Sequence, residues 1–573
     1  MKTRDFIKYI TEDRILAILI KERVKWIGKD EYSRNNSNVY SKLREILPSR
    51  RTWVQPSKKE RSRLANEKTR NLKNAATALK FTIARDRDRE KSGCGPDYLK
   101  KLNGFFEEIK DDVRDGKVSL CPPKTTGLFK DKEEVEGLVI ATFRPISVYN
   151  DLKTKVFIKL ASEYLTDLLD PLFHEEILSY RRRRNYHREY PKTLHMTNAG
   201  DAIPNIQKFR QEHNSSVWVA ECDIKKFYDI VNHDQVMAAL DRLIEKGGVD
   251  RERASGAIAI LKEYLDSYNF KECVLDESSK PGFWKGYMNG LRRNLKEGKR
   301  ELKCQFKWVP EKEFFEKGGY SPDTWETDLK KIGIPQGGVL STLICNILMN
   351  DVDGAVVDPS DKDRLFNRFG DDIILMHATE EGCRSLFDAY KKSLADHQLI
   401  YHDENPVSDF KDGIFIKPDY WDVKTKAPFL WGRGDGNAAE WIGFVGYEIS
   451  CDGNVRLRKS TLKKQFNKIC HRYHKVTSIK KIETTANNCL SAFDKVSWTI
   501  RKFDQLDLNP ASLRQMHYLD RYRHKKRKKA EQYLSNLPLK ERKEKGKKPI
   551  IVRKIKNPSS YASLLSPASW SCN

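Results

Sequence analysis

The chain has no closely spaced cysteines. Its 11 Cys are scattered so that no two lie within four residues, and no Cys-x-x-Cys pair is present to hold zinc. Such usage is expected of a reducing, cytoplasmic compartment. Long apolar runs are also missing. The N-terminal run Ile15–Ile20 is six residues long and closely flanked by charge. That is too short for a signal peptide or a membrane span, so no membrane partner is expected. No internal repeat is evident. Negative charge is the scarce sign, with 81 Asp+Glu against 107 Lys+Arg and a net charge of +26. The positive field attracts polyanions, and nucleic acid binding that weakens steeply with salt is expected. What is abundant is core material. The 573 residues include 11 Trp, 25 Phe and 23 Tyr, enough for several folded domains.

Residues 1–120 read as a charged, mostly helical region. A Pro-bearing segment at Cys121 leads to a strand, Leu138-Val-Ile-Ala-Thr-Phe, and then to Arg144-Pro-Ile. Asn150 is read as an N-cap. Val156, Leu160, Tyr164 and Leu168 follow at helical spacing. Ser216–Asp223 reads as a strand ending at an aspartate. Asn232 and Gln235 form a capping-box pattern for the next helix. Arg364–Met376 reads as a hairpin with carboxylates at its turn, and Thr379 as the cap of a helix after it. Glu440–Ser450 reads as a further hairpin, and from about 457 the pattern is helical and basic. Strand, helix, hairpin and helix in this order fit an α+β fold built on a split βαβ sheet.

The hairpin turn, Asn367-Arg-Phe-Gly-Asp-Asp, holds two adjacent carboxylates that repel each other. Alone, an Asp-Asp turn is a common polar turn. With a third aspartate at a neighbouring strand end it suits in-line phosphoryl transfer. In that chemistry two divalent cations about 4 Å apart activate a hydroxyl and steady the leaving pyrophosphate. Mg²⁺ uses a few carboxylates, waters and substrate phosphates, and Mn²⁺ accepts the same ligands. Asp223 and Asp371 are the expected ligands, with Asp372 in support.

At this point the chain resembles a family. Cys222-Asp-Ile-Lys-Lys-Phe-Tyr-Asp-Ile-Val-Asn-His, Gly333-Ile-Pro-Gln-Gly-Gly-Val-Leu-Ser with Asn346, Arg368-Phe-Gly-Asp-Asp and Trp441-Ile-Gly-Phe-Val-Gly-Tyr occur in the order of the reverse-transcriptase motifs. Upstream, Phe143-Arg-Pro-Ile resembles the fingers strand. The likeness covers about residues 120–480 and is to bacterial enzymes related to group II intron and retron reverse transcriptases. What remains after its departures is similar to the unclassified, defence-associated members. The resemblance implies a right-hand polymerase: an N-terminal helical region (1–120), fingers (121–215), a palm (216–456) and a helical thumb with a basic extension (457–573). Asp223, Asp371 and Asp372 would be catalytic, and the metal ligands would be these three with the backbone of Ile224. Arg144, Tyr228, Gln336 and Gly337 would bind the nucleotide. Tyr228 stands five residues after Asp223, where RNA-making relatives carry an Asp. A ring there would exclude a ribose 2′ hydroxyl.

The implied activity is RNA-directed DNA synthesis from deoxynucleoside triphosphates. The expected template is a dedicated noncoding RNA in antiviral defence, and the product is DNA. Template-independent or protein-primed synthesis stays open, as does a homo-oligomer. An RNA-binding maturase or scaffold is disfavoured by the intact aspartates. Departures from the family pattern are specific. Gly370 replaces a frequent Ala, and Thr342 a frequent Pro. Asn405 stands where a general-acid Lys is frequent, leaving Lys411 as a substitute. From Asp223 to Gln336 the chain runs 113 residues, which implies an insertion near 271–330. Its Phe283-Trp-Lys-Gly-Tyr and Leu291-Arg-Arg suit either stacking on RNA bases or structural packing.

Overall fold

The computed structural model describes residues 5–27, 37–57, 70–136, 138–181, 202–213, 217–292, 301–306, 316–321, 323–404, 423–433, 438–477 and 510–536. They divide into two compact units. The first comprises residues 1–198 and 218–429, and the second 199–217 and 430–573.

In the first unit, helices Glu12–Lys25, Asn38–Ile46, Arg70–Lys91 and Tyr98–Arg114 form the expected helical N-terminal region. Their apolar faces join one core with helices Leu152–Leu169 and Arg251–Asp266. The first of those two helices starts one residue later than read from sequence. Asp151, not Asn150, is its cap, and the Asp151 carboxylate accepts a hydrogen bond from Thr154 N at 2.6 Å. A carboxylate is the stronger acceptor at a helix start, where it also meets the positive end of the helix dipole. The Asn232 cap is as expected, accepting from the backbone of Asp234 and Gln235. So is the Thr379 cap, with Glu380 and Glu381 in the first turn.

Two sheets organise this unit. Strands β1 (Lys124–Val135) and β2 (Leu138–Val148) make a long antiparallel hairpin, with a bulge between Phe129 and Asp131. Further along the chain come β3 (Val217–Asp223), β4 (Glu301–Phe306), β5 (Arg364–Phe369), β6 (Asp372–His377) and β7, which begins at Lys426. β4 runs parallel to β2 and completes the first sheet. The stretch 271–330 therefore supplies a sheet strand. Its aromatics are packing residues: the Trp284 and Tyr287 rings lie 5.3 and 5.0 Å from that of Phe143, and Trp284 lies 5.0 Å from Phe306. The Tyr287 hydroxyl also accepts a hydrogen bond from Gly127 N at 2.7 Å. The second sheet has the order β5-β6-β3-β7, so the hairpin carrying the paired aspartates lies against β3. Helix Ser341–Asp353 packs against helices His233–Lys246 and Glu380–Asp396.

One buried ion pair ties this helix layer to the hairpin. Arg368 on β5 is fully buried, and its Nε donates to Asp353 at the end of helix Ser341–Asp353 at 2.7 Å. The Tyr390 hydroxyl donates to the other Asp353 oxygen at 3.1 Å, and Arg368 Nη1 reaches the Gly370 carbonyl at 3.2 Å. Burial raises the Asp353 carboxyl above the usual carboxylate range, against the opposing effects of Arg368 and Tyr390.

The second unit holds helix Ala202–Glu212, the short strand β8 (Ala438–Ala439), and a three-stranded sheet of β9 (Trp441–Phe444), β10 (Tyr447–Ser450) and β11 (Val455–Leu457). The β9–β10 hairpin is the one expected over Glu440–Ser450. Its two turn residues, Val445 and Gly446, both have positive φ, at 47° and 90°. That turn twist matches the twist of the strands it joins. Helices Lys459–Thr477 and Pro510–Ser535 then pack on each other.

Removing one member of the buried pair strands the other. Arg368→Met should cost about 3–5 kcal/mol in urea denaturation, and pairing it with Asp353→Leu should recover most of that loss. A single variant within about 1 kcal/mol of wild type would show that the pair is not what anchors the hairpin.

Candidate active site

β3 ends at Asp223 and β6 begins at Asp372, and the two residues face each other in the antiparallel register. Gly370 and Asp371 form the two-residue turn between β5 and β6. Three carboxylates from two chain segments thus share one edge of the sheet. Gly370 has φ +72°, a conformation that costs a side-chain-bearing residue about 1 kcal/mol or more. The glycine at this position is therefore the unstrained choice for this turn. Its N–H donates to Ser179 Oγ at 2.8 Å, and its carbonyl accepts from Arg368.

The carboxylates differ in electrostatics. Loss of hydration pushes Asp223 upward, but hydrogen bonds from His402 and Lys424 outweigh it and hold the carboxyl below the usual range. Asp223 Oδ1 receives Lys424 Nζ at 2.8 Å and lies 3.2 Å from His402 Nε2. Asp371 keeps an exposed edge, yet protein surrounds it closely enough for desolvation to raise it, and the Asp223 charge raises it further. Lys424 and Arg144 partly offset that rise. The local charge balance thus favours added cation, and the all-oxygen donor set suits Mg²⁺. Among the described residues, no three His, Cys, Asp or Glu side chains already converge as a metal cage.

Ile224 is held through its neighbours. Lys225 N donates to Ile400 O at 2.6 Å, and His402 N to Asp223 O at 2.9 Å, around an Ile224–Tyr401 bridge. The backbone beside Asp223 is thereby fixed without those two bonds using the Ile224 carbonyl.

The expected nucleotide-binding residues gather at the same place. Lys226 adopts φ +53° as the chain leaves β3, and the short helix Phe227–Ile230 follows. Tyr228 sits edge-on to Phe227, with ring centroids 5.6 Å apart. Its hydroxyl is hydrogen-bonded to Tyr180, and burial raises its pKa far above that of a free phenol. Ile334 N donates to the Tyr228 carbonyl at 2.8 Å, so the Gly333–Ser341 loop is laid directly on this segment. Gln336 Nε2 donates to Asp229 at 2.7 Å, and the Gln336 carbonyl accepts from Ser147 N at 3.1 Å. That second bond fastens the loop to β2, where the exposed Arg144 is close enough to lower both Asp229 and Asp371. Gly337 is exposed with φ +87°. A Cβ on Gly338 would come within 1.8 Å of the Tyr264 hydroxyl, so only glycine fits there.

The structure brings Asp223, Ile224, Asp371, Asp372, Arg144, Tyr228, Gln336 and Gly337 to one region. It adds residues that sequence reasoning missed. Asp229 follows Tyr228 inside a recognised motif, and its apolar neighbours were a usable signal of burial. Ser179 and Tyr180 carried no such signal. Lys424 contacts a residue 201 positions away in the chain. Lys411 lies outside the described residues, as does Asn405.

Asp229 also gives a titration test. Burial lifts its carboxyl from 3.8 to about 6, against the opposing effects of Gln336, Lys226 and Arg144. A raised folded-state value means that the protonated form favours the fold. That contribution is fully present below pH 3.8 and is lost as the pH rises through about 6. Relative to Asp229→Asn, wild type should therefore lose roughly 3 kcal/mol of stability between about pH 3 and about pH 7. Parallel stability curves in urea titrations would refute this.

No family model matches the chain, and no curated protein matches it. Among solved structures it is similar to a telomerase from Candida tropicalis truncated from the C-terminal domain, at 12% identity and a TM-score of 0.34 over 61% of this chain and 58% of that one. A telomerase from Candida albicans in complex with a fragment of telomeric RNA matches at 14% identity and a TM-score of 0.28, over 77% and 63%. The apo telomerase from Candida tropicalis matches at 11% and 0.33, over 92% and 87%. The chain thus spans less than two thirds of the length of the first two. These neighbours are telomerases, whereas the motif resemblance points to group II intron and retron enzymes. A likeness this distant carries no weight for activity, which is read from the site itself.

Proposed function

We propose that the chain is an RNA-directed DNA polymerase of right-hand architecture, with fingers, palm and thumb at the boundaries read from the motifs. One observation carries the reading: Asp223 and Asp372 face each other across adjacent strands with Asp371 at the turn beside them, under a loop that presents Gln336 and Gly337. Asp223, Asp371 and Asp372, with the Ile224 carbonyl, would hold two Mg²⁺ ions, which supply activation of the primer 3′ hydroxyl and charge neutralisation at the phosphates. The chain's own groups do the rest. Arg144 supplies a fixed positive charge beside the carboxylates for a triphosphate. Gln336 is oriented because an ionised Asp229 can only accept a hydrogen bond, which turns the Gln336 amide N–H₂ inward and its oxygen outward. Tyr228, held by Tyr180, closes the space where a 2′ hydroxyl would sit.

Lys424 is poised differently from a distant loop lysine. Its contact with Asp223 compensates part of the carboxylate's charge. The proposed template is RNA, of the dedicated noncoding kind that the motif resemblance brings with it, and the proposed setting is bacterial antiviral defence. The surplus of Lys and Arg supports a polyanionic partner.

Two measurements test the reading. Asp223→Asn and Asp371→Asn should each abolish deoxynucleotide incorporation while leaving RNA affinity nearly unchanged, a loss of several kcal/mol of transition-state stabilisation. Substantial DNA synthesis by either variant would refute the assignment. In single-nucleotide addition, Tyr228→Ala should raise the ribo- to deoxynucleotide kcat/KM ratio by on the order of 10²-fold, or roughly 3 kcal/mol. Tyr228→Phe should keep discrimination, because the ring and not the hydroxyl fills the space. An unchanged ratio in Tyr228→Ala would make this residue ordinary packing.

A further inference from the structure

The helix pair of the second unit carries a line of near-parallel rings. Phe466 stacks on Tyr522 with centroids 4.9 Å apart and 25° between planes. Tyr522 stacks offset on Tyr518 at 6.3 Å and 18°. Helical spacing produces this: Tyr518 and Tyr522 are one turn apart on Pro510–Ser535, and Phe466 enters from Lys459–Thr477. The inner end is anchored. The Tyr522 hydroxyl lies 3.6 Å from Cys470 Sγ. Lys526 Nζ covers the Tyr473 and Tyr522 rings at 4.3 and 5.4 Å from their centroids.

The outer end is open. Tyr518 is 58% exposed, the highest value for a large apolar side chain among the described residues. It borders a groove of about 540 Å³, lined also by Leu462, Lys463, Phe466, Arg514 and Leu519. The charge of the helix pair is predominantly positive. The two helices carry fourteen Lys and Arg and two carboxylates. Both carboxylates are engaged within their own helix, Asp520 by Arg523 and His524, and Glu531 by Arg527. A second copy of so basic a face would be repelled. A polyanion that offers flat rings is complementary in both charge and shape. A duplex hides its base faces in its own stack, whereas a single strand can present one.

We propose that Tyr518 is the platform of a stacking subsite for one unpaired nucleobase of a single-stranded polynucleotide. The base extends the Phe466–Tyr522–Tyr518 line, and Lys463 and Arg514 meet the flanking phosphates. This rests on the proposed function only for the class of partner. The subsite itself stands on the ring geometry and the charge.

The test uses the full chain and fluorescence anisotropy with labelled oligoadenylate RNA of about 12 nucleotides, a length in the range that such sites occupy, and with an abasic oligomer of the same length. Tyr518→Ala should weaken oligoadenylate binding about tenfold. Its salt slope should be unchanged, since the phosphate contacts remain. Tyr518→Phe should restore affinity, which separates loss of the ring from any disturbance of the helix pair. The abasic oligomer should bind wild type and Tyr518→Ala equally. Unchanged oligoadenylate affinity in Tyr518→Ala, or an equal loss on the abasic oligomer, would overturn the subsite. Nucleotide incorporation is measured on the same preparations. Base-dependent binding through Tyr518 in a protein that incorporates no nucleotide would leave the subsite standing and remove the polymerase reading. Incorporation with base-independent binding would do the reverse.

Discussion

The pair between Arg368 and Asp353 is the contact on which the candidate site depends. Both side chains are completely removed from water, which is costly unless the geometry is good and the remaining polar atoms are matched. Here Tyr390 satisfies the second Asp353 oxygen and Arg368 Nη1 reaches the Gly370 carbonyl, while Arg368 Nη2 is buried with no hydrogen-bond partner among the described residues. The pair therefore joins the end of the Ser341–Asp353 helix to the turn that presents Asp371 and Asp372. Asn346 of the same helix donates to the Ser179 carbonyl, while Ser179 Oγ holds Gly370 N. A turn bearing two carboxylates beside a third would relax apart if it were free. Bonds to two separate chain segments prevent that.

With the turn fixed, the charge distribution follows. Asp223 is compensated by Lys424 and His402, while Asp371 is destabilised as an anion by its own desolvation and by Asp223. Added positive charge would gain most where the anions are least compensated. The loop over them is equally constrained. Gly338 touches Tyr264, the Tyr264 hydroxyl meets Ser341, and Ser341 Oγ returns to Pro335 O at 2.6 Å. Gln336 thus projects from a loop closed on itself.

Aromatic residues serve two purposes in this chain, and burial separates them. Phe283, Trp284 and Tyr287 pack against Phe143 and belong to the first sheet. Tyr518 continues a ring stack and ends in solvent. Composition does not distinguish the two groups, since each sits in a basic stretch. Only the partner on the other face of each ring does.

Short-range features were legible in the sequence. The β3 strand ending at Asp223, the Gly-Asp-Asp hairpin, the Asn232 and Thr379 caps and the β9–β10 hairpin depend on residues a few positions apart, where side-chain spacing and backbone preference act directly. Even so, the choice between Asn150 and Asp151 as a cap turned on one position. The gathering of Asp223 with Asp371 and Asp372 was expected from motif order, and the sheet register then set it. Lys424 on Asp223, Tyr180 on Tyr228, Asp353 under Arg368 and β4 beside β2 were beyond the sequence. Each joins segments far apart in the chain, and no local propensity encodes which buried charge meets which. The sequence by itself determined the local elements and the identity of the acidic groups. The tertiary structure decided their protonation, their partners and the space around them, because desolvation and Coulomb energy depend on distances that exist only after folding.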